Sequence, residues 1–260
     1  MITGISAASL YPLETEKALL HLSGLGYRHF EIFINAFSEI SPEYCDRLNA
    51  LQKEHGFHIR SVHPFTSALE SMLLFERYDR RTEEGFGLYT EYMKAAKRIG
   101  ASILVLHGQR LGAGSLSDME YYERYHKLYR IGQTLGITVA QENVRQFRSS
   151  SPDFIKGMRD ALHNECAFVF DVKQAHMSKV DPLSMLDVMG DRVCHLHLSD
   201  HTTEKSCLLP GEGSFDFTAL RHKLDKIGYS GAVFTEVYRS AISNNEHLLQ
   251  SRRTVESLFE

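Results

Sequence analysis

Residue types that bind metals or carry protons recur where hydrophobic strand patterns end: Glu31, His63, His107, Glu142, Asp171, His197 and Glu236. Imidazoles and carboxylates in such company suit two tasks, holding a divalent ion and moving protons. Carboxylates gathered on one rim repel one another unless they are protonated or neutralised by a cation. One divalent ion held by Glu142, Asp171, His197 and Glu236 removes that conflict. Three carboxylates and one imidazole are mostly oxygen donors, which favours Mn²⁺ or Mg²⁺ and is compatible with Co²⁺ or Zn²⁺.

Cations follow the same strand ends. Arg110, Arg145, Arg148, Lys173, Lys205 and Arg239 could meet a phosphate or carboxylate on a substrate, or stay as solvated loop charges and partners of rim acids. Glu31, His63, His107, Arg145, Arg148, Lys173, Gln174 and Lys205 are the substrate-binding candidates. Glu31 is alternatively a salt-bridged core acid, and the two histidines could orient ligands instead. His195 shares the strand face of His197 one layer deeper, behind it. Phe65, Leu69, Met72 and Phe75 read as a lid, a satellite core or a subunit contact.

The elements must place these groups together. From Arg192 to Tyr238 the chain reads strand, long loop, amphipathic helix, strand. Val193, His195, His197 and Ser199 alternate with Cys194, Leu196 and Leu198, the period of a strand. Leu220, Leu224 and Ile227 recur at helical spacing, Gly228 closes that helix, and AVFTEV runs to Glu236. Upstream the same unit repeats. Strands are expected at Ile2 to Ser6, His29 to Ile34, Phe57 to Val62, Ser102 to Leu106, Ile137 to Gln141 and Ala167 to Phe170. Helices are expected over Leu13 to Leu25, Pro42 to His55, Thr82 to Ile99, Asp118 to Leu135, Asp153 to His163, Pro182 to Met189 and Asn244 to Phe259. Eight strands alternating with eight helices predict a single α/β domain over 1–260, a (β/α)8 TIM barrel, whose chemistry belongs at the carboxyl ends of the strands. A doubly wound open sheet fits the alternation next best.

Composition narrows the function further. A net charge of −4 supplies no basic field for nucleic acid. The segment GAGSLS lacks the lysine and spacing of a phosphate loop. No apolar run approaches the roughly 20 residues of a membrane span. The start MITGISAASLYP lacks a leader pattern, and four scattered cysteines read as reduced thiols, so a cytoplasmic protein is expected.

QEN at Glu142, FDV at Asp171, HLSD at His197, TEV at Glu236 and the PGEG segment together resemble the xylose isomerase-like TIM barrels. The resemblance covers nearly the whole chain. It implies one metal bound by Glu142, Asp171, His197 and Glu236, with Glu142 and Glu236 also serving as the acid/base pair. The implied activity is isomerisation or epimerisation of a sugar, sugar phosphate or related polyol, by proton transfer through an enediolate that the metal stabilises. A dehydratase of a cyclic polyol or keto acid is the alternative. An apurinic endonuclease-like phosphodiesterase ranks below it. Endonuclease members resemble the chain at His63 and His107, but Gln174, Lys205 and Cys207 stand where they carry further ligands. The expected partner is a small-molecule sugar, with no nucleic acid and no membrane, and a homo-oligomer is compatible with such barrels.

Overall fold

The computed structural model describes residues 1–114 and 116–260. Ser115, inside the glycine-containing loop expected after the fourth strand, lies outside the described residues. Among the described residues eight parallel strands close a barrel. They are β1 (Ile2–Ser6), β2 (His29–Ile34), β3 (His58–Pro64), β4 (Ile103–Leu106), β5 (Thr138–Glu142), β6 (Phe168–Asp171), β7 (Val193–Leu198) and β10 (Ala232–Thr235). Each pairs with its neighbours in chain order, and β10 returns to β1. The open-sheet alternative is thereby excluded.

Strand composition explains closure. The four residues of β4, ILVL, are all buried, as expected of a strand covered by helices outside and by other strands' side chains inside. In β7 the alternation sends His195 and His197 inward. Both reach Glu31 on β2, a strand that is not a neighbour of β7, so these contacts cross the barrel interior.

Helix ends follow local chemistry. In α2 (Pro42–His55) the Ser41 hydroxyl accepts from Tyr44 N at 3.3 Å, and Gly56 ends the helix in the left-handed region at φ 66°. In α5 (Asp118–Leu135) Ser117 and Glu120 form a reciprocal capping box. Caps of this kind contribute about 1 kcal/mol each.

Short elements depart from the expected pattern. A hairpin of β8 (Asp200–His201) and β9 (Ser206–Leu208) stands in the loop after β7. The long connection after β3 contains α3 (Glu70–Leu74), and α7 (Val172–Met177) starts directly from Asp171. The expected lid is split: Phe75 is buried and stacks on Tyr121 at 4.1 Å, whereas Leu69 and Met72 are exposed. No helix among the described residues is long and apolar enough to cross a membrane.

Candidate metal centre and active site

At the carboxyl ends of β5, β6, β7 and β10, one side-chain atom each from Glu142, Asp171, His197 and Glu236 lies within 4.8 Å of the others. His197 Nδ1 is the focus, at 2.9 Å from Glu142 Oε1, 3.4 Å from Glu236 Oε2 and 3.8 Å from Asp171 Oδ2. Its Nε2 points the other way, 3.1 Å from Glu31 Oε2. With an ion in place, an Nε2–H donated to Glu31 would leave the Nδ1 lone pair for the metal, the arrangement that fixes the tautomer of metal-binding histidines.

The neighbours set the charge of the cluster. Lys173, 3% exposed, donates from Nζ to Glu236 Oε2 at 2.8 Å and lies 3.4 Å from Asp171 Oδ2. Burial alone would lower the Lys173 ammonium, but the Asp171 and Glu236 charges outweigh it and raise it well above its ordinary value. Burial pushes the Glu142 carboxyl up, yet the His107, His197 and His63 imidazoles around it prevail and hold it well below the usual range. Glu236 is also lowered, with Lys173 and then His197 outweighing burial. Asp171 goes the other way, because burial and repulsion from Glu236 and Glu142 exceed the attraction of Lys173.

Two carboxylate oxygens in the cluster, Glu142 Oε2 and Asp171 Oδ2, are buried with no aligned hydrogen-bond donor. Glu142 Oε2 does have His107 Nε2 at 3.0 Å, close to it but without a well-directed bond. Leaving such atoms bare costs free energy that a cation would recover. The donor set and its orphaned oxygens therefore fit a divalent ion.

Backbone contacts hold the ligands in place. Asn143 donates from Nδ2 to Asp171 O at 2.9 Å and accepts from Asp171 N at 2.8 Å, tying the ends of β5 and β6 together. Asp171 Oδ1 accepts from Gln174 N at 2.8 Å and caps α7. Asp200 organises the PGEG segment. Its Oδ1 accepts from His201 N and Phe215 N, and its Oδ2 from Gly211 N and Gly213 N. A Cβ on Gly213 would lie 2.3 Å from Asp200 Oδ1, which is why glycine is needed there.

The family model described as xylose isomerase-like TIM barrel matches residues 20–258. The chain belongs to that family. The fructoselysine 3-epimerase of Escherichia coli O157:H7 is 22% identical over 272 residues, covering 98% of this chain and 96% of the relative. A crystal structure of D-psicose 3-epimerase from Clostridium cellulolyticum H10, with D-tagatose, superposes with a TM-score of 0.82 at 14% identity, covering 99% of this chain and 98% of that one. The IOLI protein, crystallised with a zinc atom, gives a TM-score of 0.78 at 18% identity over 99% of this chain and 98% of its own.

In this xylose isomerase-like barrel the remaining candidates divide. His63 and His107 join the site: their Nε2 atoms are 2.8 Å apart, and they form a second group with Glu142 whose ligand atoms lie within 4.8 Å. His63 stacks on Phe33 at 4.1 Å. Lys173 joins it as described. Glu31, a candidate for a substrate hydroxyl or for a salt-bridged core acid, is fully buried between His195 Nε2 at 3.4 Å and His197 Nε2 at 3.1 Å, the position of the core acid. Burial is outweighed there by the His197 charge, so Glu31 stays ionised well below its usual range as a core counter-charge.

The structure does not turn Arg148 to the cluster. Its guanidinium pairs with Asp118, donates to Gln109 Oε1 at 2.7 Å and to Leu116 O at 3.0 Å, and lies over the Tyr121 and Phe154 rings. The Gln174 amide oxygen accepts from Arg145 N at 2.9 Å, so that side chain joins α7 to the loop after β5. Lys205 is exposed in the turn between β8 and β9, and its carbonyl accepts from Thr202 N. Asn143, Asp200 and Glu70 escaped the sequence reading. QEN and HLSD held the first two in plain view, but each acts on backbone groups that no pattern of side chains reveals.

Proposed function

We propose that the protein is a divalent-metal-dependent epimerase or isomerase of a sugar or related polyol, with Glu142 and Glu236 as its proton-transfer pair. The observation that carries this reading is the four-residue cluster with two buried carboxylate oxygens that lack an aligned hydrogen-bond donor. The two epimerases among the relatives and the zinc-bearing neighbour support it. When bound, a divalent ion, Mn²⁺ or Mg²⁺ by preference, polarises the substrate carbonyl and offsets the charge that grows on its oxygen.

The protein's own groups then divide the work. Glu236 lines a cavity of about 420 Å³ together with Lys173, Phe33 and Tyr238, so its carboxylate faces space for a substrate. Lys173 keeps that carboxylate ionised and able to take a proton from a carbon next to the carbonyl. Glu142, gripped by three imidazoles, is the second group of the pair. One glutamate removes the proton, and the other passes back one that it takes up from solvent, so that the pair exchanges roles over a turnover. Return to the opposite face of the same carbon gives an epimer, and return to the adjacent carbon gives an isomer. The Lys173 contacts with two acids favour its role as a counter-ion over a purely substrate-binding one.

The His63, His107 and Glu142 group favours a second reading, a phosphodiesterase holding more than one ion. Solvent isotope incorporation separates the two. Protein supplied with Mg²⁺ or Mn²⁺ and incubated with ketoses in heavy water should place one deuterium in each turned-over sugar, read by mass spectrometry. Glu142→Gln and Glu236→Gln should each slow that incorporation by about 10²–10⁴-fold. Incorporation unchanged in both variants would remove the glutamates from the mechanism.

A further inference from the structure

We propose that the barrel mouth contains a second, uncharged subsite beside the reacting one, which takes an apolar or aromatic substituent carried by the sugar. The preferred substrate is then a neutral sugar conjugate, in place of a free sugar or a sugar phosphate. The inference uses the epimerase reading only to say what occupies the neighbouring cavity.

Two cavities adjoin at the mouth. The one of about 420 Å³ has Lys173 and Glu236 in its wall. The other, of about 320 Å³, extends to Leu13, Phe65 and Ser67, and the two share Ala8, Tyr11 and Phe33. Each reaches the roughly 300 Å³ at which ligand pockets begin, so a monosaccharide in the first leaves the second to be filled by something attached to it.

The chemistry of the second cavity selects that attachment. No lysine, arginine, histidine or acid lines it, so a phosphate would lose its hydration there without gaining a counter-charge. Its polar groups are partly consumed within the protein. Thr15 Oγ1 donates to Phe33 O at 3.1 Å, and Asn35 Nδ2 donates to the same carbonyl at 3.0 Å. The larger part of what remains is ring and aliphatic surface from Tyr11, Phe33, Phe65 and Leu13, with the Ser67 hydroxyl among it. Tyr11 is 62% exposed and Leu13 41%, apolar surface that a bound aromatic group would cover. Phe33 couples the subsite to the chemistry, since its ring stacks on His63, which adjoins Glu142. The cations Lys173 and Arg239 line the first cavity and not the second, Lys173 held by Glu236 and Arg239 donating through Nη1 to Ile242 O, while Arg148 is turned to Asp118.

The test compares D-fructose, 1-O-benzyl-D-fructose, 6-O-benzyl-D-fructose and D-fructose 6-phosphate on the Mg²⁺-supplied protein. Deuterium incorporation gives kcat/KM for each sugar, and calorimetry gives its binding. One benzyl sugar should exceed D-fructose by at least tenfold in kcat/KM, and the phosphate should not. Leu13→Arg should cut that ratio at least fivefold. Because the ratio compares sugars on one preparation, a partly folded variant does not distort it. Turnover of D-fructose or its phosphate at least equal to both benzyl sugars overturns the subsite and leaves the epimerase reading standing. Tighter binding of a benzyl sugar without isotope incorporation upholds the subsite and overturns that reading. Neither binding nor incorporation overturns both. A dimer that Leu13→Arg dissociates, with the sugar ratio unchanged, assigns the cavity to a second copy of the chain and also overturns the proposal.

Discussion

With its Nζ 2.8 Å from Glu236 and 3.4 Å from Asp171, the Lys173 ammonium supplies positive charge among acids that would otherwise repel one another. Removing one partner from a buried charge cluster costs about 3–5 kcal/mol, because the other charges stay behind unpaired. Lys173→Met should therefore lower the melting temperature strongly in the presence of a chelator. Saturating Mn²⁺ should recover most of that loss, since the ion replaces the missing charge. An equal loss with and without metal would show that Lys173 acts through packing and not as a counter-ion. The sequence placed these residues at strand ends by type and position, and the structure brings Glu142, Asp171, His197 and Glu236 together. It could not show that the Arg148 guanidinium is turned to Asp118, or that Glu31 lies beneath His197. Both depend on which partner across the barrel or the next helix is near, and residue type carries no such information.

The segment after β3 shows how an element is held by a single buried acid. Glu70 opens α3, accepts from Tyr89 Oη at 2.6 Å through Oε1 and from Gly108 N at 2.5 Å through Oε2, and is fully buried. Burial pushes its carboxyl up to about 8, against the lowering effect of the Tyr89 and Gly108 hydrogen bonds. The folded protein thus holds this proton more tightly than the unfolded chain, where the group titrates near 4.5. Its contribution to stability is fully present below about pH 4.5 and is lost as pH rises through about 8. Each tenfold gain in proton affinity is worth roughly 1.4 kcal/mol, so the change is on the order of a few kcal/mol. Glu70→Gln mimics the neutral acid, and the Tyr89 hydroxyl can reverse to accept from the amide. The stability difference between wild type and Glu70→Gln should shift in favour of the variant from pH 5 to pH 8.5 in thermal melts. A difference independent of pH would mean that Glu70 does not titrate in this range. Long periodic elements such as α2 and α5 were legible in the sequence because their caps and apolar faces are local. The hairpin β8–β9 and the six-residue α7 were not, since two or three residues carry no period and α7 depends on the Asp171 cap.

At the scale of the whole molecule, the closed barrel brings three acids and a histidine from four separate strands to one end, and the crowding of the acids is tolerable only with compensating charge. Eight repeated units of strand and helix predicted a barrel, but the alternation alone also fits an open sheet, and it is the pairing of β10 with β1 that shows closure. The content of the cavities was not foreseeable, for it is set by side chains from β1, β2 and β10 loops that are far apart in sequence. An ion that binds only the folded chain stabilises it by mass action, about 2.7 kcal/mol at a hundredfold excess over its dissociation constant. The most direct measurement is metal content by plasma mass spectrometry after equilibration with Mn²⁺ and removal of free ion, on the wild type and on Asp171→Ala. About one Mn²⁺ should remain per wild-type chain, held by the single four-residue site, and little in the variant. Wild-type protein that retains no Mn²⁺, or a variant that retains as much as the wild type, would contradict a metal centre at these strand ends.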